Sequence, residues 1–374
     1  MKKSIVEVIH PTSLKNCRAG HPWITLDEHS AEFNKNSDLL EIVPLNDIYI
    51  HDPTHPKIKA RHWGKSEIPF DMDIEFRLSE AILKRSEIND RENIFLCFGE
   101  VDSLPGMYVL KLGDVILIQY QAYFWSKHLS IIVDFIKRRF KNIKSIYKQS
   151  RLHGSVKVIP KKIWGEVNSD LIIEEFGVKY NVFLEDYHDV GIYTDMSSIR
   201  KKLIPYCTKS RNVLNLFSYT GAFSLLGLKN NLDVTSVDIS SKFMKILENN
   251  IELNNFDENK HESIVKPVDK FLKNNNQFFD LIICDPPSFS SNKKKSQSAI
   301  SFYKENLKEL MSILSPQGRL VMFLNTHKIS RAKFKRSLPK GLKIEKELFT
   351  GQDCPLLRGF PEGDYLKGFV IFNG

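Results

Sequence analysis

The chain has few cysteines, no long apolar run and no glycine-rich phosphate loop, and each absence excludes something. Its 374 residues include only five cysteines, Cys17, Cys97, Cys207, Cys284 and Cys354, each at least 70 residues from the next. There is no Cys-x-x-Cys pair and no histidine at zinc-ligand spacing beside a cysteine, so no metal site is expected. An odd, widely spaced set argues against a disulfide framework and fits a reducing compartment, so a cytoplasmic location is expected. No run approaches the roughly 18 apolar residues of a membrane span. Met1 to Glu7 reaches an acid before a signal-peptide core can develop, so neither membrane insertion nor export is expected. There is no internal repeat, and no low-complexity tract beyond Asn274-Asn275-Asn276.

What is present is a basic, ordinarily apolar chain. Lys+Arg 54 against Asp+Glu 45 gives +9, with 42% hydrophobic residues and a mean hydropathy of -0.28. Those values fit a folded protein and exclude a disordered one. At roughly 100–200 residues per domain the length suggests two or three domains. Basic clusters stand at Lys137-Arg138-Arg139 with Lys141 and Lys144, at Arg200-Lys201-Lys202, at Lys293-Lys294-Lys295, and from Arg331 to Arg336. Several such clusters in one cation point to a polyanion, with nucleic acid the first candidate.

Three segments differ in pattern. Residues 1–70 read as short strands and turns, with Leu40–Val43, Ile48–Ile50 and Ile58–Trp63 strand-like, and suggest a small β-barrel. Residues 71–180 read as α+β. Ile74, Leu78, Ala81 and Ile82 fall at helical spacing, as do Leu129, Ile132, Val133, Ile136 and Phe140, with a strand at Val115–Ile118. Residues 181–374 alternate apolar strands (213–217, 234–237, 281–284, 320–324) with helices, one of which carries Phe243, Met244, Leu247 and Ile251 on one face. That alternation predicts βαβ units and an α/β domain with a parallel sheet. Ligands bind beyond the carboxyl ends of such strands, so functional residues should follow the strands directly.

Three strand ends carry chemistry. Phe217-Ser218-Tyr219-Thr220-Gly221 follows the first strand with a single glycine, where a dinucleotide site would need Gly-x-Gly-x-x-Gly. A loop without a phosphate cradle favours a nucleoside ligand lacking phosphates, of which S-adenosylmethionine is the common one. Asp238 ends the second strand, where an acid accepts two hydrogen bonds from ribose hydroxyls; an NAD enzyme would use the same acid. The third end reads Asp285-Pro286-Pro287-Ser288-Phe289. Two prolines cannot continue a ladder and make a rigid turn. That turn would aim the Asp285 carboxylate into the pocket, with Phe289 free to stack on a nucleobase.

These motifs resemble class I S-adenosylmethionine-dependent methyltransferases of large-subunit ribosomal RNA: the group with an N-terminal PUA domain that methylates cytosine C5, and its guanine-N7 relatives. The resemblance runs nearly end to end. His21-Pro22-Trp23 and Ile58 to Trp63 are similar to the PUA barrel, and Gly99 to Gly106 to the signature of the central domain. Gly191-Ile192-Tyr193-Thr194-Asp195 with Arg200 resembles the entry to the catalytic domain, and Pro361 to Phe369 its C-terminal strand. The resemblance implies a PUA-like β-barrel at 1–70, a central α+β domain at 71–180 and a Rossmann-like methyltransferase domain at 181–374.

It also implies S-adenosylmethionine as cofactor, RNA (ribosomal first) as partner, and neither membrane nor metal; the oligomeric state stays open, a homodimer included. Phe217 to Gly221, Asp238, Asp285, Asp195 and Arg200 would bind the cofactor. Asp285, Pro286, Pro287, Phe289 and Asn325 would serve the reaction, and Lys293, Lys294 and Lys295 would reach RNA phosphates. Three positions depart from the family pattern. Asn325 stands where the cytosine-5 enzymes carry a nucleophilic cysteine, which is more like the guanine-N7 relatives. Pro267 replaces an acid, with Asp269 two positions on, and Met196-Ser197 follows Asp195 in place of a Gln-Arg or His-Arg pair. Two other classes stay open: an RNA-binding protein of this fold without turnover, and an NAD oxidoreductase.

Overall fold

The computed structural model describes residues 1–25, 28–154, 157–166, 171–287, 299–339 and 341–373. Its residues group into two compact units. One comprises Met1–Ile173, Val182–Val190 and Gln352–Phe360; the other comprises Glu174–Asn181, Gly191–Gly351 and Pro361–Gly374. The hairpin Leu171–Glu175 and Val178–Val182 carries the chain from one to the other.

The first unit holds two five-stranded sheets. One runs in the order Lys3–Val6, Leu39–Ile42, Asp47–His51, Ile58–His62, Trp23–Thr25, antiparallel except for the first pair. The other runs Lys161–Gly165, Ser145–Ser150, Val115–Tyr120, Met107–Leu112, Asn93–Phe98. The helical spacing read at 74–82 belongs to helix Phe70–Leu83, which buries Ile74, Leu78, Ala81 and Ile82. The helix read from Leu129 stops at Arg139, because Phe140 turns extended (φ -118), though it still packs against the core of the unit.

Residues 1–70 and 71–173 share this unit and a core cluster in which Leu39, Ile50 and Trp63 lie with Ile74, Leu96 and Trp125, while a second cluster of Val6, Ile24, Leu40, Ile42 and Ala60 lies within 1–70 alone. A buried charge cluster binds the same two segments. Arg61, 1% exposed, donates from Nε to Asp52 at 3.1 Å and from Nη1 to Glu100 at 2.9 Å. Glu100 also accepts from the Trp23 indole at 2.7 Å. The motifs at Trp23, Arg61 and Gly99–Gly106 thus meet as one structural junction.

The second unit is built on a seven-stranded sheet: β1 (Asn212–Leu216), β2 (Asp233–Asp238), β3 (His261–Val265), β4 (Phe279–Cys284), β5 (Leu314–Asn325), β6 (Lys343–Leu348) and β7 (Leu366–Phe372). The spatial order is β3-β2-β1-β4-β5-β7-β6. β1 to β5 are parallel, and β7 runs antiparallel between β5 and β6. Leu281 to Cys284 and Leu320 to Phe323 are each fully buried residue after residue, so both faces of the central strands are covered. The strands expected at 213–217, 234–237, 281–284 and 320–324 are β1, β2, β4 and β5. The chain order reverses between β1 and β4, which puts a crevice at their carboxyl ends.

Candidate active site

The loop after β1 is wound tightly. Phe217, Tyr219 and Gly221 all take left-handed backbone conformations, with φ of 58, 51 and 85. Two non-glycine residues held there are strained, a condition that clusters at functional sites. Gly221 has a second constraint: a Cβ would lie 2.1 Å from Leu247 Cδ1, so the packing of helix Ser241–Leu253 demands a glycine. The loop is fastened from β2. Ser218 N donates to Val237 O at 3.1 Å, and Tyr219 N donates to Asp238 Oδ2 at 2.9 Å. The other carboxylate oxygen of Asp238 accepts Ser240 N at 2.9 Å. Asp238 therefore ties two loops together, and each oxygen keeps lone-pair capacity for a ligand.

A buried polar chain lies under this loop. Asn215 Nδ2 donates to Ser224 Oγ at 2.8 Å, Ser224 and Ser236 hydroxyls lie 2.7 Å apart, and Ser236 Oγ meets His261 Nε2 at 2.8 Å. It links β1, β2, β3 and the helix Ala222–Lys229. Burial pushes the His261 imidazole down to about 4, so it stays neutral at pH 7. Sequence reasoning missed this chain, although Asn215 and Ser236, polar residues inside apolar strands, were its signal.

The Asp285-Pro286-Pro287 turn leaves β4 as expected, with Pro286 buried and Pro287 exposed. Asp285 is half-buried. Its carboxyl is pushed up to about 7, first by burial and then by the charge of Asp195. Asp195, on the short turn Thr194–Met196, accepts a hydrogen bond from the Tyr365 hydroxyl at 2.6 Å. The Tyr303 hydroxyl lies where β4 and β5 part. It donates toward Cys284 O (2.9 Å) and Phe323 O (2.8 Å) and accepts from Phe323 N (3.0 Å), fixing the exit of both strands. Three rings rise around the β1 loop: Tyr193 and Tyr219 centroids are 5.3 Å apart, and Tyr219 and Phe243 are 4.4 Å apart. Phe243, grouped by spacing on one helix face with Met244, Leu247 and Ile251, is half-buried and its ring meets Tyr219.

Arg200 is held by partners within the protein. Its guanidinium, 2% exposed, forms a two-point ion pair with Glu175 (2.5 and 2.9 Å) and donates to Tyr193 O at 3.0 Å. It holds the 191–196 segment in place through Nε and Nη2. Ser197, at the position of the altered pair, donates to the same Glu175. Pro267 caps the helix Val268–Asn274, and Asp269 is exposed in its first turn. Asn325 ends β5, exposed, opposite Leu366. Beside it Lys367, 1% exposed, donates to Thr326 O at 2.6 Å; burial pushes its ammonium down to about 8. Glu175 was missed, and the contacts of Tyr365 and Lys367 within the Pro361 to Phe369 motif were not legible, because each acts on a distant stretch of sequence. Phe289, Lys293, Lys294 and Lys295 lie outside the described residues.

The donor set suits a cationic nucleoside. Asp238 offers acceptors to hydroxyls, the three rings offer π faces, and two neighbouring carboxylates, Asp195 and Asp285, would both be relieved by a positive centre. Among the described residues no group of three or more His, Cys, Asp or Glu is placed to hold a metal ion, and no helix is long and apolar enough to cross a membrane.

Comparison with known proteins gives concordant matches. A family profile for S-adenosylmethionine-dependent methyltransferases matches residues 156–336. Ribosomal RNA large subunit methyltransferase I of Pseudoalteromonas translucida (strain TAC 125) is 30% identical, across 95% of this chain and 96% of that protein. The protein of the same name from Vibrio cholerae (strain ATCC 39315 / El Tor Inaba N16961) is 28% identical over 95% of this chain and 96% of its own length. Among solved structures, a methyltransferase-fold protein complexed with SAH superposes with a TM-score of 0.87 at 22% identity, covering 100% of both chains. A Streptococcus mutans protein of the same fold superposes at 0.84, also with 22% identity and full coverage of both.

Proposed function

The chain belongs to the ribosomal RNA large subunit methyltransferase I family of S-adenosylmethionine-dependent enzymes, and we propose from that membership how its own residues act on large-subunit ribosomal RNA. The observation that carries the reading is the convergence of three strand ends: the left-handed Phe217–Gly221 loop, Asp238, and the Asp285-Pro286-Pro287 turn leave adjacent strands β1, β2 and β4.

When bound, S-adenosylmethionine supplies an electrophilic methyl group on a sulfonium. Asp238 would accept from its ribose hydroxyls while still holding Tyr219 N and Ser240 N. Tyr193, Tyr219 and Phe243 would line its rings. Ionised Asp285, with Asp195 beside it, would offset the positive charge. The rigid Pro286-Pro287 turn with Phe289 would frame the target base, and Asn325 would offer one donor and one acceptor at the rim. Catalysis is then mainly positioning and electrostatics. Further parts of the reading are a PUA-like fold for 1–70, a central domain at 71–180, a catalytic domain at 181–374, phosphate contacts by Lys293, Lys294 and Lys295, and a cytoplasmic location.

The target atom follows from the thiols. Attack on cytosine C5 needs a thiolate to activate the ring. Cys284 is fully buried at the end of β4, and burial drives its thiol well above the usual range. With Asn325 at the end of β5, the chain offers no accessible thiol there, and a ring nitrogen with its own lone pair is the fitting acceptor. Replacing Cys284 with alanine should leave methyl transfer within about tenfold, since loss of a true nucleophile costs far more. A covalent complex with 5-fluorocytosine RNA that this change abolishes would sink the idea. Mass spectrometry of ribosomal RNA from a deletion strain, before and after adding back the enzyme, identifies the nucleotide.

A pH dependence also follows. Asp285 titrates near 7 in the free protein, and a cation bound beside it favours the ionised form, so binding expels a proton below that pH. Cofactor affinity should therefore rise with pH by up to about tenfold per unit below 7 and level off above it. Calorimetry across pH 5.5–8.5 measures the slope, and Asp285→Asn should abolish it.

A further inference from the structure

Positive charge is not spread evenly over the chain. Residues 137–165 contain ten lysines and arginines and no aspartate or glutamate. The fold gathers this segment at one margin of the first unit: the end of helix Leu129–Arg139, strand Ser145–Ser150, and the outermost strand Lys161–Gly165. Three of its cations are matched within the unit, Arg138 by Glu75 at 2.5 Å, Lys144 by Asp114 at 2.6 Å and Arg151 by Asp189 at 3.1 Å. Lys141, Lys148, Lys157, Lys161 and Lys162 form no ion pair among the described residues.

The strand register sharpens the point. Lys161 lies directly opposite Lys148 across the antiparallel pair, so both ammonium stems leave the same face with Cβ atoms roughly 5 Å apart. Like charges so opposed destabilise a sheet. Lysines on an outermost strand also discourage edge-to-edge pairing, and that accounts for Lys161 and Lys162. It does not account for Lys148, one strand further in. On the outer strand half-buried Trp164 packs one side against the core and has the Lys137 ammonium 5.4 Å from its ring centroid. Cations along a margin beside an aromatic face are what holds a sugar-phosphate chain: charges for phosphates, a ring for a base or sugar.

We propose that this margin is a second RNA-contacting surface, separate from the methyl-transfer pocket, which grips the ribose-phosphate backbone without reading sequence. The proposal rests on the reading of the chain as an RNA methyltransferase. A bound phosphate would sit between Lys148 and Lys161 and turn their repulsion into attraction.

The test is the full-length K148Q/K161Q/K162Q variant against the parent protein, with an arbitrary single-stranded RNA as probe and fluorescence anisotropy over a range of salt. Each lost contact removes roughly 0.7 from the slope of log affinity against log salt, so the variant's slope should flatten by about two units. Its melting temperature should be equal or higher, because the opposed pair is gone, and its affinity for S-adenosylmethionine unchanged. An unaltered slope overturns the proposal while leaving the enzyme reading intact. A parent protein that binds the cofactor but shows no salt-dependent RNA binding overturns both. Should the triple variant melt early, K161Q alone must still flatten the slope by roughly 0.7, and failure there also overturns the surface.

Discussion

Replacing Glu175 with alanine will cost the catalytic unit about 3–5 kcal/mol of stability, among the largest effects of any single change in it. Arg200 and Glu175 are 2% and 1% exposed. Without the carboxylate a guanidinium is left charged and unpaired in a dry site, and Ser197 loses its acceptor as well. The damage should reach the active site, because Arg200 holds Tyr193 O and thereby the segment that presents Asp195. Urea denaturation measures the loss. The double variant E175A/R200M should recover part of it, since replacing both partners of a buried pair removes the stranded charge. A single-variant loss below about 1 kcal/mol would show that the pair is not buried as described.

Asp238→Ala should weaken cofactor binding by at least a hundredfold. Two hydrogen bonds from a carboxylate to ribose hydroxyls contribute roughly 1.5–3 kcal/mol each, and every 1.4 kcal/mol is tenfold. The same change frees Tyr219 N and Ser240 N, so a loop already strained at Phe217 and Tyr219 loses its fastening. Titration calorimetry with S-adenosylmethionine, alongside a circular-dichroism check of the fold, reads the effect. An alanine variant that binds like the parent would remove Asp238 from the site.

The sequence made the strand-helix alternation of the catalytic unit plain, because strands buried on both faces must be continuously apolar and helices amphipathic. It also placed Asp238 and Asp285 at strand ends, since an acid directly after such a run has few other places to be. It failed where a residue's role depends on a partner far along the chain. The pairing of Arg200 with Glu175 was not legible, because Glu175 lies in a strand whose pattern shows nothing unusual. Phe243 shares its spacing with buried Met244, Leu247 and Ile251, and only the left-handed turn at Tyr219 brings a second ring against it. The cluster of Arg61, Glu100 and Trp23 that joins segments 1–70 and 71–180 was not legible either, because a buried ion cluster leaves no periodicity to read.

The placement of β7 has a bearing on how the protein is made. The strand at residues 366–372 completes the sheet by entering between two strands synthesised earlier. The first unit has a similar late requirement, because buried Arg91 takes the Asp353 carboxylate as its partner, and Arg85, paired with Asp102, also donates to the Asp353 carbonyl. A nascent chain emerging from the ribosome therefore carries an open edge at β5 and an arginine, Arg91, without its carboxylate until more than nine-tenths of the present sequence has been translated. Truncated translation products should fail in both units at once, and quality-control proteases would meet an exposed apolar strand rather than a half-working enzyme.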